Sequence, residues 1–378
     1  MSDDEFPQPD RIDGAPHPRE TTQLIGQDAA RDAFLAAYGS DRLHHGWLIT
    51  GPKGVGKATL AWQIARFLIA TPPAQDDGMF GAPPGPINLE IDPQHPVARR
   101  MMAGSEPSLF VLKRPYDEKL KRLKQDITVD EVRKLKGFFA LSAADGGHRV
   151  VIVDSADEMN VNAANALLKL LEEPPKDTTL LLISHQPSRL LPTIRSRCRE
   201  LRLAPLAPDQ VAIALTEAGQ DGSQAAALST LAGGSVGGAI TLLMLDGVRL
   251  YADLVRLFAT CPNMDRGHAL KLADSAAGRT NADRFDLMLT LIDLFLSRVA
   301  RTGAAMPPVP ATDTEPAVLA KLASGPHAAR HWATLQQELS ARARHGRAVN
   351  LDPSALILDM VLKIDQTAAK LAAQQGAA

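Results

Sequence analysis

From about Thr22 to Arg202, short runs of apolar residues alternate with stretches whose apolar residues recur at helical spacing. The runs are Trp47–Thr50, Leu109–Leu112, Val150–Val153, Leu180–Ser184 and Leu201–Leu203. Each is continuously apolar instead of alternating apolar with polar, which is the signature of strands buried on both faces of a parallel sheet. Helices between them predict an α/β domain with a helical layer on either side.

Two stretches break this rhythm. Residues 1–20 are polar and proline-rich, too poor in apolar groups to pack, and predict a disordered arm. Between Pro72 and Pro107 eight prolines remove backbone donors, so the segment 72–107 reads as an irregular surface insertion. Polar, helix-forming residues from about Asp117 to Phe139 then restore order. After Arg202 the strand-like runs stop. Pro205 and Pro208 mark a hinge, a small helical unit spans 206–246, and a longer all-helical domain runs from 247 to 378, its last residues fraying. Within it Phe285–Val299 is apolar around most of the helix and predicts a buried core helix.

Composition narrows the chemistry. The 378 residues are 45% hydrophobic and 22% charged, ordinary for a globular protein, with a net charge of −2. That balance argues against holding nucleic acid alone by phosphate neutralisation, so any DNA contact is local or shared with partners. Two cysteines, Cys198 and Cys261, cannot make a four-cysteine zinc site or a disulfide framework, and they fit a reducing cytosol. No signal-like segment and no run of ~20 apolar residues is present, which predicts a cytoplasmic protein with no membrane span.

The strongest motif is GPKGVGKAT, Gly51 to Thr59, between the strand ending at Thr50 and the apolar helix from Leu60. Gly51, Gly54 and Gly56 let successive backbone N–H groups curl around a phosphate, and Lys57 adds charge at the β/γ-phosphates. The residue after Lys57 is Ala58, where a hydroxyl would be needed to hold Mg²⁺. Thr59 falls one position too late, about 100° further round the helix.

Downstream, the strand Val150–Val153 ends in Asp154, placed as a Walker B carboxylate for Mg²⁺. The next residue, Ser155, stands where a water-activating Glu is usual; Asp157 and Glu158 are close in sequence and expected to point elsewhere. In 165–175, Leu167, Leu168 and Leu171 form a packing stripe that Pro174 ends, and Glu172 and Glu173 read equally as a solvated face. Ser184 or His185, at the end of the strand Leu180–Ile183, could touch a γ-phosphate, although a lone histidine is more often structural. Arg197, in Ser196-Arg197-Cys198, is on its own no more than a surface arginine.

Taken together, LeuIleGlyGln (24–27), GPKGVGKAT, ValIleValAsp, AsnAlaLeuLeuLysLeuLeuGluGluProPro and LeuProThrIleArgSerArgCys resemble the bacterial clamp-loader ATPases of the AAA+ class, and within them the delta-prime branch of DNA polymerase III. The resemblance covers roughly residues 20–205. It implies a P-loop AAA+ domain over 21–205, a helical lid over 206–246 and a collar over 247–378. It implies that Lys57 and Asp154 match the Walker residues and that Arg197 matches an arginine finger reaching a neighbour's ATP. The lid's sensor arginine falls on Gly237 and is lost, and the family's zinc module is replaced by the proline-rich segment, so no zinc is expected. The implied partners are gamma/tau ATPase subunits and the delta subunit, with the sliding clamp and primer-template DNA reached through the complex. ATP would be bound at most, with hydrolysis not expected. An autonomous AAA+ motor would need the missing Glu and sensor arginine, and a P-loop kinase would not carry an all-helical second half.

Overall fold

The computed structural model of the chain describes residues 8–40, 43–71, 87–140, 147–278 and 281–376. They form two compact units, Met1–Gly219 with Ser235–Gly237, and Gln220–Gly234 with Gly238–Ala378.

The first unit begins with α1 (Asp28–Gly39), β1 (Gly46–Thr50), α2 (Lys57–Ala70), α3 (Pro96–Met102), β2 (Leu109–Leu112), β3 (Tyr116–Asp117), β4 (Arg122–Leu123) and α4 (Val129–Ala140). It continues with β5 (Arg149–Val153), α5 (Val161–Glu172), β6 (Thr178–Ser184), the single-turn α6 (Pro192–Arg195), β7 (Arg199–Arg202) and α7 (Pro208–Glu217). Five strands make one parallel sheet in the order β2-β5-β6-β1-β7. Every residue of β1 and β6 is buried, as their unbroken apolar character predicts. Helix α5 closes one face through Ala163, Leu167 and Leu171 and stops at Glu172, just before the prolines.

The second unit is helical: α8 (Ala225–Ala232), α9 (Val236–Met244, whose first two residues belong to the other unit), α10 (Gly247–Ala259), α11 (Arg266–Asp274), α12 (Ala282–Gly303), α13 (Glu315–Leu322), α14 (Pro326–Ala348) and α15 (Pro353–Gly376). The expected core helix is α12, which buries Phe285, Met288, Leu291, Ile292, Phe295, Leu296 and Val299. Arg298 and Glu315 are buried together in an ion pair at 2.5 Å, with the Tyr251 hydroxyl donating to the same carboxylate at 2.6 Å. Among the described residues no single helix is long and apolar enough to cross a membrane.

Five expectations need correction. Residues 8–20 of the supposed disordered arm are ordered, while 1–7 lie outside the described residues. Polar anchors hold the arm where apolar burial could not. Arg66 donates to the Arg19 carbonyl at 2.7 Å, Gln63 donates to the Thr22 carbonyl at 2.7 Å, and His17 stands edge-on to Trp62. Asp10, its side chain only 2% exposed, meets both His17 and Lys113. The segment 72–107 is not irregular throughout: its first part, 72–86, lies outside the described residues, but α3 starts with a proline in its first turn, where no donor is lost, and buries Val97, Ala98 and Met101. The stretch from Asp117 to Phe139 opens with the β3–β4 hairpin before its helix. The boundary between units falls after Gly219, so α7 belongs with the sheet. The C-terminal residues continue α15 to Gly376, with Ala368 and Leu371 buried.

Burial alone would raise the Asp10 carboxyl, but the His17 hydrogen bond and the Lys113 charge hold it down at about 2, below its ordinary 3.8. Its contribution is therefore complete above about pH 4 and lost as pH falls towards 2. Asp10→Asn is expected to cost about 2 kcal/mol at pH 7, or roughly 4–8 °C of melting temperature. The difference should shrink between pH 4 and pH 2; thermal melts across that range measure it, and an unchanged melt at pH 7 refutes the anchor.

Candidate functional site

The P-loop, residues 51–57, leaves β1 at its C-terminal end and turns into α2. Gly51, Gly54 and Gly56 have φ of 142°, 78° and 99°, values that side chains resist. Space forbids a side chain at two of them as well. A Cβ on Gly51 would lie 2.5 Å from the Leu203 carbonyl oxygen, and one on Gly54 would lie 2.4 Å from Ser235 Oγ. Gln27, 4% exposed, donates to the Val55 carbonyl at 3.1 Å and the Ala204 carbonyl at 2.8 Å, tying the loop to the segment after β7. Its role was invisible in the sequence beyond its place in LeuIleGlyGln.

Lys57 is 3% exposed and turns back on its own loop, donating to the Gly51 carbonyl at 2.7 Å and to that of Pro52. Burial pulls its ammonium down to about 8, against the opposing pull of Asp154 and Asp157. Asp154 directly follows β5. Burial, and next the Asp10 carboxylate, push it up to about 7. Asp157 was expected to point away, yet it is 8% exposed, influences Lys57 and accepts the His185 backbone N–H at 3.0 Å. Glu158 does turn elsewhere, pairing with Arg114 at 2.6 Å.

Ser155 bonds Asp154 Oδ1 at 3.2 Å and His185 Nε2 at 3.0 Å. Burial and the nearby Lys57 charge drop His185 to about 4, so the ring is neutral at physiological pH and adds no cation to a phosphate site. Ser184 is fully buried, and among the described residues neither its Oγ nor His185 Nδ1 has a hydrogen-bond partner. Thr59 lies half-buried in the first turn of α2, past the loop.

Ser235 and Gly237 bear directly on the loop. Ser235 Oγ donates to the Lys53 carbonyl at 2.8 Å and the Gly237 N–H to the Gly54 carbonyl at 3.0 Å. A Cβ on Gly237 would stand 2.4 Å from Ile12 Cδ1. A side chain there would have to displace the tip of Ile12.

These features fit the phosphate half of a nucleotide site, with positive-φ glycines, a lysine, a helix start and an unpartnered Ser184 hydroxyl. The metal half does not fit: Ala58 offers a methyl group, and Ser155 is engaged by its neighbours.

Arg197 is elsewhere. It follows α6, donates to the Thr193 carbonyl at 3.1 Å and pairs with Glu172 at 2.8 Å. The β7–β1 register matches Arg199 with Trp47 and Arg202 with Thr50. Arg197 thus sits where β1 begins, while the P-loop starts where β1 ends, roughly 13–16 Å along the strand.

Sheet order, P-loop and strand-end carboxylate define a P-loop domain of the AAA+ class. The model of the family described as "DNA polymerase III, delta subunit" matches residues 26–207. DNA polymerase III subunit delta' of Escherichia coli (strain K12) is 30% identical over 336 residues, covering 88% of this chain and 92% of that protein. The same subunit of Pseudomonas aeruginosa is 47% identical over 154 residues, a match spanning 41% of each chain. A DNA polymerase III gamma subunit-related protein from Thermotoga maritima aligns over 86% of this chain and 95% of its own at 16% identity, TM-score 0.38. The chain belongs to the family of DNA polymerase III delta-prime subunits, the AAA+ clamp-loader branch its motifs resemble.

A raised carboxyl keeps its proton in the folded state up to about pH 7 but loses it near 3.8 when unfolded, so Asp154 erodes stability as pH rises through that window. Asp154→Asn avoids this. At pH 8 the variant should be more stable by on the order of 2 kcal/mol, allowing for partial exposure, and indistinguishable near pH 4. Urea titrations at the two pH values check it; no gain at pH 8 contradicts it.

Proposed function

We propose that this chain is a non-hydrolysing member of the clamp-loader ring that lends Arg197 to ATP held by a neighbouring gamma/tau subunit. The delta subunit, the sliding clamp and primer-template DNA are its further partners through the assembled complex. The observation that carries this reading is the position of Arg197. Set at the opposite end of the strands from Lys57, it is badly placed for its own loop and well placed for an adjoining subunit. Its side chain is 37% exposed and held by Glu172 and the Thr193 carbonyl, so it is presented with its direction already set.

A guanidinium is always charged and offers a planar fork of donors, which suits the charge spread over a transferring γ-phosphoryl group. Fingers of this kind contribute roughly 10³–10⁵ in rate. This chain's own site supports the other half of the proposal. Ala58 gives no hydroxyl to Mg²⁺, the Ser155 hydroxyl cannot serve as a base for water, and Gly237 replaces the sensor arginine. What remains is a phosphate cradle built from Gly51, Gly54, Gly56 and Lys57.

The isolated protein should turn over ATP far below ~1 s⁻¹, the lower end for working enzymes. Activity above that level and abolished by Lys57→Ala overturns the expectation. In a complex reconstituted with gamma/tau and delta subunits, Arg197→Ala should lower DNA-stimulated ATP turnover severalfold while leaving melting and assembly unchanged. Arg197→Lys should do nearly the same. The loss is partial because other interfaces keep their own arginines. Unchanged turnover and clamp loading in the Arg197→Ala complex would falsify the finger.

A further inference from the structure

The protein as a whole carries −2, yet residues 113–124 hold six basic and two acidic side chains. This stretch is the β3–β4 hairpin and its flanks, leaving the same edge of the sheet as Asp154. Its base is fixed. Lys113 pairs with Asp10, Arg114 with Glu158, the Lys124 N–H donates to the Pro115 carbonyl at 2.9 Å, and the Ile127 N–H to the Glu158 carbonyl at 2.8 Å. Those pairings neutralise the two cations at the root and leave those nearer the tip uncompensated. Lys119, Lys121, Arg122 and Lys124 are all exposed, and among the described residues none has a carboxylate within ion-pair distance. Of the hairpin's two acidic residues, Asp117 accepts the Lys119 and Leu120 amides at 3.0 Å each and so shapes the turn; Glu118 is exposed beside it.

The turn also keeps a lysine where the backbone would prefer another residue. Lys121 has φ of 49°, left-handed geometry that glycine or asparagine adopts more easily.

We propose that this hairpin is a nucleic-acid contact that grips the phosphate backbone of DNA through Lys119, Lys121, Arg122 and Lys124. Four exposed cations on a fixed stem suit sequence-independent phosphate binding. An anionic membrane would call for a run of apolar residues among the cations, and the tip has Leu120 alone, 59% exposed. The proposal rests on the reading of this chain as part of a complex that works on DNA. Its test uses the isolated chain, so a failed hairpin leaves the Arg197 result standing and the reverse.

Fluorescence anisotropy with a labelled 20-base-pair duplex carrying a single-stranded overhang, from 50 to 200 mM salt, measures the binding. Removing one cation from a phosphate should reduce the slope of log K against log salt by about 0.9. K119Q/K121Q/R122Q/K124Q should therefore weaken binding at least tenfold at 50 mM salt and flatten the slope by about 3–4, with an unchanged melt. The charge-preserving set K119R/K121R/K124R should bind as the parent does. The proposal is overturned if the parent shows no binding at 50 mM salt, or if the glutamine set keeps parental affinity and slope. It is equally overturned if the arginine set loses binding too, or if phosphatidylglycerol vesicles are bound in preference to DNA.

Discussion

The parallel pairing of β7 on β1 decides where the chemistry of this chain falls. With Trp47 opposite Arg199 and Thr50 opposite Arg202, the residues before β7 are held at the start of β1 and those after it at the P-loop. Arg197 and Lys57 are thereby separated by the length of a strand, and no side-chain rotation can bring them together. The same register puts Ala204 where Gln27 can bond it, and Gln27 in turn fixes Val55 inside the loop. One strand pairing sets both the shape of the cradle and the outward placement of the arginine.

The P-loop of this chain is also a packing junction, which accounts for what has been kept and lost around it. Gly54 has no room for a side chain because Ser235 and Gly237 lie against it, and a side chain on Gly237 would have to displace the tip of Ile12. The glycines are required by the fold whether or not a phosphate enters, so the motif by itself is weak support for turnover. Ala58 is only half-buried, whereas Ser155 is 6% exposed and bonded to Asp154 and His185.

Most of the sheet was legible because strands buried on both faces leave unbroken apolar runs, and the P-loop and the Pro174 stop were legible because glycine and proline act locally. The arm was misread because its order comes from buried donors on α2 meeting backbone carbonyls of Arg19 and Thr22, which no composition records. The β3–β4 hairpin hid inside a stretch of good helix formers, since Asp117 capping two turn amides outweighs propensity there. Helix α3 hid behind prolines that stand at positions where a helix loses nothing. For the site, Gly51, Lys57 and Asp154 could be read from the motif, whereas Gln27, Asp157 and Ser235 act through distant partners and left no local pattern.

The docked arm also changes the electrostatics of the strand-end carboxylate. Asp10 brings a second negative charge towards Asp154, and its own two cationic partners are drawn to Asp10, which is held near 2 while Asp154 is lifted to about 7. The two carboxyls share one environment, and the charge settles on the one with direct partners. Burial and the arm thus act on the carboxyl at the end of the central strands, one strand length away from Arg197 at their other end.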